Sequence, residues 1–149
     1  MNINFFTFVP SELPKIKKLW EKLNAVHLSE SRHFQEHYRT FTFEKRCEKF
    51  LEMSPENIRI EVATADESEP VGYCISTFER HVGEIESLYL EPEIRKNGIG
   101  GRLVENAIAW LKANGCEKIQ VSVAEGHESV FRFYEKFGFY PRLTILQWK

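Results

Sequence analysis

The chain is poor in cysteine, in charge of either sign to excess, and in long apolar runs, and each shortage removes a class of protein. Its three cysteines, Cys47, Cys74 and Cys116, lie far apart and form no C-x-x-C pair. An odd, scattered set makes neither a disulfide framework nor a cysteine metal site, so reduced thiols and a cytoplasmic location are expected. Twenty basic against 22 acidic residues leave a formal net charge of −2, a poor match for a nucleic-acid backbone. No apolar stretch approaches the length of a membrane span, so no membrane partner is expected. The start, MNINFFTFVP, has no basic region or small-residue cleavage pattern, and no signal peptide is expected. Two phosphate-binding patterns are missing as well: no Lys-Ser or Lys-Thr follows a glycine loop, and no G-x-G-x-x-G occurs.

What is present suits one domain spanning residues 1–149, long enough to bury a core unaided. Residues 3–9 read as a strand ended by Pro10. Leu13, Ile16, Leu19, Trp20 and Leu23 have helical spacing, with Ser11 as N-cap and the helix running to about Asn24. A polar stretch, 27–42, precedes a helix over 43–53 with Phe43, Cys47, Phe50 and Leu51 on one side. Strands are expected at 58–63, 71–79, 84–90 and 118–123, with turns at 66–70 and at His81-Val82-Gly83. Helices are expected over 98–113 and 128–137, and one or two closing strands over 139–148. Strands mixed with helices and no linker make a mixed α/β domain.

The most informative stretch is Arg95-Lys96-Asn97-Gly98-Ile99-Gly100-Gly101-Arg102, between an apolar strand and an amphipathic helix. Glycines at a helix start leave backbone N–H groups uncovered, and the helix end adds partial positive charge. The loop therefore suits a pyrophosphate. It reads R-x-x-G-x-G after Leu-Tyr-Leu-Glu-Pro-Glu. One helix and one strand later comes Phe133-Tyr134-Glu135-Lys136-Phe137-Gly138-Phe139.

Together these two stretches resemble the pyrophosphate loop and the late FYEKxGF signature of the GNAT superfamily of N-acetyltransferases. The resemblance spans residues 58–147 by motif and 1–57 by element order. It implies a GNAT-like α/β (α+β) fold, with a central, mostly antiparallel mixed sheet flanked by helices. It implies transfer of acetyl from acetyl-CoA, as co-substrate, to a primary amine by direct attack, without a metal. Arg95, Lys96, Asn97, Gly98, Ile99, Gly100, Gly101 and Arg102 would hold the pyrophosphate, and Gly100→Val would block its approach. The backbone of Leu88, Tyr89 and Leu90 would run beside the pantetheine and thioester, where strands 84–90 and 118–123 part. Tyr134 would protonate the departing thiolate; its alternative is a core ring like Phe131, Phe133 and Phe137. His127 stands where many relatives carry an asparagine that binds the pantetheine arm.

Glu84 and Glu86 alternate on one strand face with Leu88 and Leu90. A carboxylate there would take a proton from an ammonium acceptor or merely attract a cation, and both readings stay open. His33-Phe34-Gln35-Glu36-His37 spells H-x-x-E-H, a zinc-peptidase pattern, but no third ligand or larger scaffold goes with it. By the resemblance, that region shapes the acceptor pocket. A small-molecule or peptide amine is the expected partner, and a homodimer is open. The alternative function is a non-catalytic acyl-CoA-binding sensor or interaction module.

Overall fold

The computed structural model describes residues 2–66 and 69–149. Five strands form one sheet in the order β1-β2-β3-β4-β5: β1 (Ile3–Phe8), β2 (Ile58–Ala65), β3 (Pro70–Glu79), β4 (Val82–Leu90) and β5 (Lys118–Val121). The first four pair antiparallel, and β5 lies parallel to β4. A parallel neighbour needs a crossover, supplied here by α4 (Ile99–Ala113). The expected architecture, a mostly antiparallel mixed sheet between helices, is the one observed.

Two cores lie on opposite faces of the sheet. On one, Leu13, Ile16 and Trp20 meet Phe43, Cys47 and Phe50 over Ile60, Val62, Tyr73 and Ile75. These come from a 3-10 stretch (Pro10–Ile16), α1 (Lys17–Glu30) and α3 (Phe43–Glu52). Pro14 sits inside the 3-10 stretch, so the regular helix starts only at Lys17 and runs past Asn24 to Glu30. Thr42 Oγ1 accepts from Lys45 N at 3.1 Å and caps α3, whose Leu51, expected inward, is exposed. On the other face, Leu103, Val104 and Ala107 of α4 pack with Tyr134 of α5 (Phe131–Glu135) on Cys74 and Ile85.

The polar stretch, read as loop, short helix or both, contains a short helix, α2 (Gln35–Thr40). The β3–β4 turn falls one residue earlier, at Arg80-His81, with Arg80 at φ 57°. The turn expected at 66–70 includes Glu67 and Ser68, which lie outside the described residues. No closing strand forms: residues 140–149 are exposed and join no sheet.

The main departure is in β4. Ile75 pairs with Ser87 and Ser76 with Ile85, so Glu86 is an extra residue, a β-bulge. Strict alternation breaks there. Ile85, Leu88 and Leu90 all pack toward α4 and α5, while Tyr89 joins the α1 and α3 core. Glu84 and Glu86 therefore do not share a face with Leu88 and Leu90, because the bulge inverts the pattern between them.

Candidate active site

Pairing of β4 with β5 ends at Ile85 and Val121, although β4 continues to Leu90. Beyond that point one edge of β4 has no strand partner. A cavity of about 330 Å³ opens where the strands part. Glu84 and Leu88 line it from β4, Val121 to Ala124 from the opposite wall, and Trp20, His27, Tyr38, His127 and Tyr134 close it. Of Leu88, Tyr89 and Leu90, Leu88 lines the cavity, and Tyr89 and Leu90 continue the edge of β4 beyond its pairing with β5. Leu90 packs beneath α4, and Tyr89 is buried with the Arg95 guanidinium 5.3 Å from its ring.

The glycine loop leads into α4, whose first-turn N–H groups on Ile99, Gly100 and Gly101 have no acceptor within the helix. Gly98 sits at φ +76° with nothing within 4 Å of where a Cβ would lie. An exposed backbone corner with Lys96 beside it, at φ 71°, fits a pyrophosphate. Gly100 has a different part. A Cβ there would meet Leu90 Cδ1 at 2.8 Å and Phe133 Cζ at 3.4 Å, so this glycine lets α4 approach the sheet. Gly100→Val is therefore a packing lesion and not a clean test of phosphate approach. Among the basic residues, Arg95 Nε donates to Leu90 O at 2.9 Å and the Arg102 guanidinium lies 4.2 Å from the Phe5 ring.

The two strand carboxylates have unlike surroundings. Glu86, with a side chain 3% exposed, accepts from Lys49 Nζ at 2.7 Å, Thr77 Oγ1 at 2.6 Å and Arg46 Nη2 at 3.2 Å. Burial pushes its pKa up, but the Lys49 and Thr77 hydrogen bonds and the two cationic charges outweigh that and hold it below the usual carboxylate range. Such a group is a weak proton acceptor. Glu84 is half-buried on the cavity wall, and its Oε1 accepts one bond, from Gln120 Nε2 at 3.3 Å.

A third set was not singled out from the sequence. His27 and Glu30, one turn apart on α1, meet His127 from the loop after β5. His127 Nδ1 lies 2.6 Å from Glu30 Oε1. A carboxylate only accepts, so Nδ1 is the donor in this contact and Nε2 is the ring nitrogen left over. The His27 ring stands edge-on to His127, 5.1 Å between centroids, and its buried Nδ1 has no partner among the described residues. Burial, followed by the charge on His127, lowers the His27 pKa to about 4, so it is neutral at physiological pH. The three residues offer ligand-type atoms within 4.8 Å of one another. The H-x-x-E-H residues do not assemble: α2 begins only at Gln35, Glu36 pairs with Arg39, and His37 stacks on Phe41.

The loop bearing His127 is fastened to the end of α1. Glu125 accepts from the N–H groups of Arg32 and His33 and from Ser31 Oγ, and those bonds, Arg32 first, bring its pKa to about 2. Gly126, at φ +95°, passes so close that a Cβ would lie 2.2 Å from Glu30 O.

Tyr134 lies at the cavity with its ring edge-on to Phe133 and Phe139. Burial raises its pKa, so the hydroxyl keeps its proton. Among the described residues that hydroxyl has no hydrogen-bond partner. Cys74, buried nearby, is pushed up to about 12 by burial and stays a thiol, not a nucleophile.

Comparison with known proteins agrees with this geometry. The chain is 33% identical over 78 residues to a peptidyl-lysine N-acetyltransferase of Salmonella typhimurium, covering 52% of this chain and 48% of that one. It spans half or less of the length of the curated relatives it matches. A Pyrococcus furiosus protein described as an acetyl transferase shares the fold at a TM-score of 0.76 and 23% identity, covering 98% and 99% of the two chains. An aminoglycoside N-acetyltransferase in complex with CoA does so at 0.70 and 14%, covering 99% and 94%. The model of the acetyltransferase (GNAT) family matches residues 20–139. With that match over most of its length, the chain belongs to the GNAT acetyltransferase family.

Proposed function

We propose that this protein transfers an acetyl group from acetyl-CoA to a primary amine that attacks directly. One observation carries the reading: Tyr134 presents a protonated, unpartnered hydroxyl in the cleft where β4 leaves β5. Acetyl-CoA supplies the activated thioester. The Gly98 corner and the first turn of α4 hold its pyrophosphate, and the unpaired edge of β4 along Leu88, Tyr89 and Leu90 orients its arm. His127 borders the same arm on the far wall. Tyr134 holds the proton needed at sulfur when the thiolate leaves.

An ammonium acceptor must lose a proton before it attacks. Glu84 is one acceptor for that proton. Nε2 of His127, its ring oriented by Glu30, is a second. Glu86 instead orders Arg46 and Lys49 around the bulge. The acceptor end combines the carboxylates of Glu84 and Glu30 with the rings of Trp20, Tyr38 and Phe41, which suits a cationic amine on an apolar stem. The Salmonella relative's peptidyl-lysine is an amine of this kind, and the structural neighbour's aminoglycoside shares with it the cationic amine.

The test is release of free thiol from acetyl-CoA by the purified chain across a panel of polyamines, aminoglycosides and lysine peptides. Amine-dependent release is expected. Tight CoA binding with no release for any amine would overturn transferase function in favour of a binding module.

A further inference from the structure

The His27 ring is half-buried, yet it makes no hydrogen bond among the described residues, and its Nδ1 is screened from solvent. A buried polar atom of this kind points to a further partner, a water or an ion. The neighbours that would share such an ion are in place. His27, Glu30 and His127 each offer one ligand-type atom, and the three atoms lie within 4.8 Å of one another. Around zinc such atoms sit about 2.0–2.2 Å from the metal and so roughly 3.4 Å apart, and side-chain movements of about 1 Å bring this set to that spacing. The donor chemistry fits the same ion. Two imidazoles and one carboxylate suit zinc, whereas magnesium and calcium take mostly oxygen ligands. Three protein ligands leave a fourth position for water or an incoming group.

The set is drawn from two parts of the chain and clamped. His27 and Glu30 come from α1, and His127 from the loop after β5. On one side of His127, Glu125 accepts from Arg32 N and from Ser31 Oγ, each at 2.9 Å. On the other, Glu128 lies 2.6 Å from Arg32 Nη2. These contacts hold His127 over the end of α1. Ligands fixed by their own outer contacts bind a metal with little reorganisation. Arg32, the basic side chain of the clamp, is paired with both Glu125 and Glu128, so its charge opposes a nearby cation only weakly.

We propose that His27, Glu30 and His127 bind a zinc ion at the acceptor end of the cavity, and that the bound ion blocks the amine. His27 and His127 both line that cavity. The ion adds two positive charges there, engages the carboxylate of Glu30 and takes a ring nitrogen of His127. Any proton on a ligating nitrogen passes to solvent. A cationic acceptor then meets repulsion where it would have met attraction. Zinc acts here as an inhibitor and takes no part in acetyl transfer. The block rests on the transferase reading above; the metal site does not.

The test is calorimetry of the untagged full chain with zinc chloride, after a chelator has stripped bound metal, beside thermal unfolding with and without zinc. One zinc per chain is expected, with a raised melting temperature and little heat from magnesium. His27→Ala and Glu30→Gln should each cost more than the roughly 10–100-fold in affinity typical of outer-shell partners, and should lose the zinc-dependent rise in melting temperature. The His27 side chain makes no hydrogen bond to lose, so its variant keeps the fold. His33→Ala, at an exposed histidine outside the set, should bind zinc as the wild type does. In the transfer assay zinc should raise the KM for the amine and leave that for acetyl-CoA unmoved. No zinc binding by the wild type, wild-type zinc affinity in both His27→Ala and Glu30→Gln, or magnesium bound as tightly as zinc would each overturn the site. Zinc that binds at these residues and leaves the amine KM unmoved would overturn the block. A chain with no transfer activity would remove the block together with the transferase reading, while calorimetry still decides the site.

Discussion

Replacing Tyr134 by phenylalanine separates catalysis from packing at the one residue where both are at stake. The ring is 9% exposed and makes edge contacts with Phe133 and Phe139, all of which phenylalanine keeps. The hydroxyl has no protein partner among the described residues, so its removal breaks no internal hydrogen bond. Stability should therefore change by no more than about 1 kcal/mol, in either direction. Loss of a general acid costs ~10²–10⁴-fold in rate, about 2.7–5.4 kcal/mol of transition-state stabilisation. Acetyl-CoA affinity should barely move, because the hydroxyl acts on charge that develops only as the sulfur departs. Single-turnover acetyl transfer is the assay, since slow product release would mask the chemical step. Thermal unfolding runs beside it. A variant with the wild-type single-turnover rate would refute the assignment and leave Tyr134 as a core ring.

Glu86→Gln should lower stability by about 2 kcal/mol, less than a fully buried ion pair because Lys49 is half exposed. The depressed pKa of Glu86 adds stability above the unfolded carboxylate value and loses it as pH falls through the folded one, so melting curves of wild type and variant should converge in acid. Gly126→Ala meets both a positive φ and the Glu30 carbonyl; a loss of about 2–4 kcal/mol, with faster proteolysis near Ser31, is expected, and an unchanged melting temperature would refute the clamp. Gly98→Ala should keep the fold at a cost of about 1 kcal/mol and weaken CoA binding roughly tenfold by calorimetry, whereas Gly100→Ala should show chiefly a stability loss. Equal calorimetric affinity for the wild type and Gly98→Ala would place the pyrophosphate elsewhere.

Local chemistry made much of this legible. The glycine loop, the amphipathic α4 and the alternation in β2 are written in contiguous residues, whereas the place where β4 and β5 part was implied only by the family resemblance. Three features depend on distant partners and left no local mark. The bulge at Glu86 exists only relative to β3, and it reversed the faces assigned to Leu88 and Leu90. The His127–Glu30 contact joins residues 97 apart. Gly100 carries the same letter as Gly98, yet only its neighbours Leu90 and Phe133 show that it serves packing. The pairing of His27 with Glu30 had a readable sign, an i, i+3 spacing, hidden because the helix was ended at Asn24. The strand expected over 139–148 has suitable residues, yet they join no sheet although the outer edge of β5 is open.

The single surplus residue in β4 acts as a change of phase. Up to Ile85 the strand keeps step with β5; after Glu86 it carries extra twist, as bulged strands do, and the parallel neighbour cannot follow. The cleft is then a product of counting. Remove one residue and the ladder to β5 could run on, closing the gap with ordinary hydrogen bonds and turning Leu88 and Leu90 away from α4. A sheet repaired in this way would gain regularity and lose the opening in which we place the chemistry.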